Sequence, residues 1–254
     1  LRDPYKICGG FFIDGIQGGT GAANEVSLDH TGHPVVSKIR DCYLAAVKQG
    51  LQGQIPLYGG GGIGMTVNAA ADAFKMMCLG ANGVFVGKVL IQLLGCVGNE
   101  QGRCNACNTG KCPMGICTQN PELRQHFRGH YEYVVNYFRF LAREVREYLA
   151  DMGFRSLNDI VGRTDLITVK PAPAGSKAAL LDFSRILHKP ESTAALHFTD
   201  TPAPAETEKT KDTLLLEAAA EAVNHGKEVS LEYVISNTDR SVGCMLAGAV
   251  ATKY

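Results

Sequence analysis

The chain has 254 residues, with 25 Lys and Arg against 25 Asp and Glu, and hence no formal net charge. That balance provides no general attraction to nucleic acid or to an anionic membrane. No apolar run approaches the roughly 18 residues of a membrane span, and the N-terminus lacks the order of a signal peptide. The expectation is a cytoplasmic protein with neither nucleic acid nor membrane as a partner.

Glycine is the compositional outlier, with 29 residues against a usual share of about 7%. Most of the excess lies in turns before residue 111. Residues 7–14, ICGGFFID, form an apolar run that predicts a buried strand, and a glycine-rich turn follows over residues 15–23, GIQGGTGAA. Residues 29–34 continue the loop. Residues 35–50 carry apolar side chains at helical spacing, Val36, Ile39, Leu44 and Val47, and Gly50 and Gly53 end the pattern. A second strand is predicted over residues 55–58, a second glycine run over 59–64, a helix over 66–79, and a third strand over 83–86 that stops at Gly87 and Lys88. Repeated strand–helix units of this length predict an α/β fold with a parallel sheet.

Glycines at the C-terminal end of one strand and just after the next can turn backbone N–H groups toward one rim. In a (β/α)8 TIM barrel the rim after the last two strands is a common phosphate site. The run 59–64 and Gly87 fit that pattern, with Lys88 as an added point charge.

Five of the nine cysteines fall between residues 96 and 117. The inner run is C-x2-C-x4-C-x4-C, from Cys104 through Cys107 and Cys112 to Cys117, and Cys96 lies upstream. Three readings compete. A disulfide framework would suit a secreted protein. A structural zinc site usually has two separated C-x2-C pairs, and one is present. Closely spaced cysteines with a Cys-Pro step, here Cys112-Pro113, favour an iron–sulfur cluster. Cys8, Cys42 and Cys78 stand alone in apolar surroundings and read as buried thiols.

Residues 121–152 show a 3.6-residue apolar stripe and predict one long helical region, with Gly153 as its stop. Ser156 and Asp159 suggest a capped turn. Residues 170–210 contain Pro171, Pro173, Pro190, Pro202 and Pro204 and predict a surface linker, partly disordered over 199–210. Residues 214–225 read as a helix, 229–235 as a strand, and 242–250 as a small, apolar stretch. The predicted organisation is therefore residues 1–167, a linker over 168–212, and a further piece over 213–254.

DGIQGGTGAA at 14–23, the GGGGI and LGANGVFVGK pair, LLGC at 93–96, CNTGKCPMGICTQNPELRQHFRG at 107–129 and EVREYLADMGFRSLNDIVGR at 144–163 together resemble the flavin-binding synthase region of glutamate synthase large subunits. The resemblance covers residues 5–167. The wording of residues 12–21 is similar to the shorter, archaeal-type form, which lacks a fused glutaminase domain. The tail, ISNTDRSVGCMLAGAVATKY, resembles the start of the β-helix-like domain that follows in this family.

The resemblance implies the C-terminal part of an FMN-binding TIM barrel with an iron–sulfur loop. It implies reductive amination of 2-oxoglutarate to glutamate with ammonia derived from glutamine. Electrons would come from a reductase subunit, NAD(P)H- or ferredoxin-linked, and pass through the cluster to the flavin. Gly18, Gly19, Thr20 and Gly21 would sit near flavin and substrate. Gly60, Gly61, Gly62, Ile63, Gly87 and Lys88 would hold the FMN phosphate. The implied cluster is 4Fe-4S on Cys96, Cys104, Cys107 and Cys112, with Cys117 as rival fourth ligand and 3Fe-4S as the alternative. Asp14, Gln17 and Asp29 are acid–base candidates on loop position alone. Three strands cannot close a barrel, so the chain reads as a fragment that works with the remainder of the synthase chain. The competing readings are an FMN barrel with another substrate and a non-catalytic iron–sulfur electron-transfer module.

Overall fold

The computed structural model describes residues 9–16, 18, 26, 30–98, 104, 106–191, 209–237, 239 and 241–254. It divides the chain into two units, residues 1–200 and 201–254.

The first unit is built on three parallel strands, β1 (Phe11–Asp14), β2 (Leu57–Gly60) and β3 (Gly83–Val84), in sequential order. Phe11 pairs with Leu57 and Asp14 with Gly60, and Tyr58 pairs with Gly83. Strand alternation sends Phe11, Ile13 and Leu57 toward the helices and Phe12 and Tyr58 to the other face. Helix α1 (Val35–Lys48) follows β1, and α2 (Ala69–Cys78) follows β2. Val35, Ile39 and Tyr43 of α1 join Leu57, Ile63, Met76 and Leu79 in one core beneath the sheet.

Helix α2 is apolar around most of its surface because it is covered twice. Met76 faces the sheet, while Ala70, Ala73, Phe74 and Met77 pack against Val145 and Leu149 of a later helix. Glycines permit two of the close approaches. A Cβ at Gly59 would meet the Met76 methyl at 2.5 Å, and one at Gly80 would run into the Tyr43 ring.

Beyond β3 lie α3 (Lys88–Leu93), the cysteine segment, α4 (Pro121–Arg124) and α5 (Tyr131–Asp151). The single helical region expected over 121–152 is therefore two helices. Asn120 caps α4 by accepting from Glu122 and Leu123, and Pro121 opens it. The break spans residues 125–130, and within it a Cβ on Gly129 would lie 2.8 Å from the Leu94 carbonyl. The chain turns there against the end of α3 before α5 begins. The capped turn at Ser156 forms as expected: Ser156 Oγ accepts from Asn158 N–H at 3.1 Å, and Asp159 accepts from Ser156 N–H at 3.0 Å.

The early part of the expected linker is docked rather than free. Buried Arg40 donates to the Leu79 carbonyl at 3.2 Å and to the His188 carbonyl, and Arg185 pairs with Asp41 at 2.9 Å. A short helix, α6 (Ser184–Leu187), lies in this strap. Residues 192–208 fall outside the described residues.

The second unit holds α7 (Lys211–Ala218), α8 (Ala220–His225) and α9 (Cys244–Lys253). Asp212 accepts from the N–H groups of Gly243 and Met245, at 2.6 and 2.9 Å, and so satisfies donors at the start of α9. The strand expected over 229–235 is irregular chain here, with no ladder partner among the described residues. A strand needs a neighbour to satisfy its backbone. The small apolar stretch after residue 242 is helical as α9.

Candidate functional site

The C-terminal ends of β1 and β2 and the start of α3 surround a cavity of about 400 Å³. The floor is the glycine loop after β2. Gly61, Gly62 and Gly64 adopt φ of 106°, 74° and 86°, the left-handed region that glycine enters at little cost. Turn conformations of this kind make concavities that bind anions. Near its start, the Gly15 N–H donates to the Gly60 carbonyl at 3.0 Å, so β1 fixes the loop's entry.

Gly18, Gly61, Gly62, Ile63, Gly87 and Lys88 all line this cavity, together with Asp14. Lys88 Nζ lies 3.4 Å from the Gly18 carbonyl and so spans from α3 to the loop after β1. Gly60 supports the site from beneath: a Cβ there would fall within the Phe85 ring. Gln17, Gly19, Thr20, Gly21 and Asp29 lie outside the described residues.

Three lining residues escaped the sequence reading: Met65, Phe85 and Ile91. Ile91 could have been found by its position one turn after Lys88, and Phe85 by its place two residues before Gly87. The cavity thus combines one ammonium, one carboxylate, a glycine floor and an apolar flank. Such a lining suits a ligand with an anionic end, hydroxyl or amide groups for Asp14, and an apolar body. FMN has that character, and the residues present fit it. On the other side of the same loop is an apolar cavity of about 460 Å³ reaching to the strap. Its Lys75 is paired with Asp72 at 2.8 Å.

Helix α3 leads directly from this cavity to the cysteines. Its six residues span about 9 Å at 1.5 Å per residue. Gly95 then turns the chain at φ 99°, and Cys96 follows. The Gly98 N–H donates to Cys96 Sγ at 3.4 Å, and a Cβ on Gly98 would touch both that sulfur and Cys104. Burial pushes the Cys107 thiol up, and the neighbouring sulfurs of Cys117, Cys96 and Cys104 add to the effect.

Cys112 is different. Burial alone would raise its thiol, yet backbone N–H groups of Cys117, Ile116, Met114 and Gly115 hold it below its ordinary value. Amides aimed at a sulfur stabilise the thiolate, the form that binds metal. The cradle depends on Gly115, at φ 74°, where a Cβ would lie 2.6 Å from the Leu123 carbonyl. His126 Nδ1 contacts the Pro113 carbonyl at 3.0 Å and ties the loop to the turn after α4.

Cys96, Cys104 and Cys117 thus lie near enough to Cys107 to influence its thiol, and Cys112 is stabilised by backbone amides of the segment that follows it. Among the described residues no three His, Cys, Asp or Glu side chains form a close group around a single metal ion. A cluster of several irons spreads its thiolates wider than one ion does, and five thiols in one segment fit that donor chemistry.

A glycine-floored anion cavity on parallel strand–helix units, one short helix from a thiol-rich loop, is the build of a cofactor-binding α/β protein. Residues 8–155 match the family described as a conserved region in glutamate synthase, and the chain belongs to that family. It is 34% identical over 244 residues to the glutamate synthase (NADPH) large chain of Bacillus subtilis and 33% identical to ferredoxin-dependent glutamate synthase 2 of Synechocystis. It is 31% identical over 251 residues to the glutamate synthase (NADH) of Schizosaccharomyces pombe. Each match covers 95% of this chain. The chain spans about 15% of the length of the first two relatives and 11% of the third.

Proposed function

We propose that this chain is the cofactor-bearing segment of a glutamate synthase-type oxidoreductase, which forms glutamate from 2-oxoglutarate and glutamine-derived ammonia. The observation that carries the reading is the placement of the Lys88 cavity one short helix from the five-cysteine loop. An electron carrier alone has no need of the cavity, and a simple nucleotide-binding protein has no need of the thiols.

The sheet is read as an arc of a (β/α)8 barrel. Its parallel strands end in glycine loops at one rim, where barrel enzymes place their sites. In this reading the backbone of Gly61, Gly62 and Ile63, with Gly87 and Lys88, holds the FMN phosphate. Gly18 and Asp14 border the ribityl and ring end, and Phe85 and Ile91 exclude water from its flank. Cys96, Cys104, Cys107 and Cys112 are the proposed cluster ligands, with Cys117 as rival. The flavin supplies hydride chemistry and the cluster one-electron transfer. The protein's own part is to fix the two centres on one rigid scaffold and to keep the site dry. The remaining strands come from the rest of the synthase polypeptide, and electrons from a ferredoxin- or NAD(P)H-linked donor. The names of the relatives support both donor classes.

The test is turnover by the full polypeptide that carries this chain. With 2-oxoglutarate, glutamine and either reduced ferredoxin or NADPH with its reductase, glutamate forms at two equivalents per glutamine consumed. A flavin-replete, cluster-replete enzyme that consumes no 2-oxoglutarate with any of these donors would overturn the substrate assignment.

A further inference from the structure

The glycine loop that floors the cavity is fastened at two ends, and its far end is fastened by a residue that no part of the site includes. Tyr137 lies in the second turn of α5 and is half-buried. Its hydroxyl donates to the Gly64 carbonyl at 2.9 Å. Gly64 sits at φ 86°, and a Cβ there would meet the Tyr137 hydroxyl at 2.5 Å and the methyls of Val86 and Val89 at 3.2 and 3.3 Å. Loop and tyrosine are therefore fitted to one another: the residue must be glycine for the hydroxyl to reach its carbonyl. Burial pushes the Tyr137 phenol up and keeps it protonated as a donor at neutral pH.

We infer that Tyr137 is a positioning residue, holding the Gly61–Gly62–Ile63 floor in the shape that receives the phosphate of the bound flavin. The inference rests on the flavin reading of the cavity. Between the Gly15–Gly60 bond at one end and the Tyr137–Gly64 bond at the other, the three floor residues have little freedom. A floor fixed before binding does not have to be ordered by the ligand, and that saving appears as affinity. Tyr137 touches no part of the cavity itself, so it acts through Gly64. Because α5 follows the cysteine segment and packs on α2, the same bond also ties the phosphate loop to the element that leaves the cluster.

The experiment compares wild type and Tyr137→Phe in the full polypeptide. Both are freed of flavin and titrated separately with FMN and with riboflavin, which lacks the phosphate, while flavin fluorescence is followed. The variant removes a single oxygen, and its thermal midpoint and iron and sulfide contents are measured alongside. The variant is expected to bind FMN about three- to tenfold more weakly, the range of one hydrogen bond. Riboflavin affinity is expected to change less than twofold, because the loop's grip is on the phosphate. An unchanged FMN affinity, or equal losses for FMN and riboflavin, would overturn the positioning role. A wild-type protein that binds neither flavin would overturn the reading of the cavity instead.

Discussion

At Gly61 the backbone runs at φ 106°, and a Cβ would lie 2.8 Å from the Gly15 nitrogen. Any side chain there meets two obstacles, a strained angle and the loop after β1. Gly61→Ala is expected to lower stability by about 1–3 kcal/mol, the usual cost of a non-glycine residue held at such an angle. It should also reduce the flavin retained per chain through purification, since the floor must shift to admit the methyl group. Flavin absorbance per polypeptide and a urea unfolding curve check both effects, and full flavin retention would speak against the phosphate floor. The glycine run itself is visible in the sequence. Which glycines line the cavity and which, like Gly60, lie beneath a ring is not, because that depends on Phe85 arriving from the neighbouring strand. The cysteines show the same division. Their number and spacing are plain in the sequence, but the backbone amides that lower the Cys112 thiol face it only once Gly115 turns the chain.

Among the elements, the strand–helix order and the Ser156–Asp159 cap follow from local signals and are found as expected. The division of the 121–152 stretch into α4 and α5 was hidden because the apolar stripe runs through the break. Helix α4 ends at Arg124 and the chain turns over residues 125–130, where Gly129 has no room for a Cβ beside the Leu94 carbonyl, and periodicity carries no trace of that tertiary fit. In the second unit, α7 and the chain before α9 are joined by Lys211 and Asp239, 2.7 Å apart, with Ser236 also bonded to Asp239. Lys211, and then Ser236, hold the Asp239 carboxyl down at about 2, against an ordinary 3.8. A folded value below the unfolded one means that this contribution is complete above about pH 4 and is lost as the pH falls toward 2. Asp239→Asn is accordingly expected to flatten the acid-induced loss of α7–α9 helicity between pH 4 and 2, measured by far-ultraviolet circular dichroism. Superimposable acid titrations of the two proteins would contradict this.

At the scale of the whole molecule, the three parallel strands are covered by helices on one face among the described residues. The other face presents Phe12, 71% exposed, stacked on Tyr58 at 4.9 Å and beside Phe85 at 5.8 Å. An aromatic face of this kind is unusual for a sheet that ends at three strands, and it suits the inner wall of the proposed barrel, whose other strands would cover it. The sequence displays the alternation that puts Phe12 on that face, but local pattern does not show what would cover it. The proposed function requires one scaffold to carry both an FMN and an iron–sulfur cluster. The most direct test is an anaerobic absorption spectrum of the full polypeptide with flavin, iron and sulfide assays. The expected result is FMN together with acid-labile sulfide and about three to four irons for the cysteine loop, seen as a broad band near 400 nm beneath the flavin bands, with cluster iron lost on replacing Cys107 and Cys112 by Ser and flavin lost on replacing Lys88 by Glu. Zinc without sulfide, or a cluster and flavin indifferent to those replacements, would contradict it.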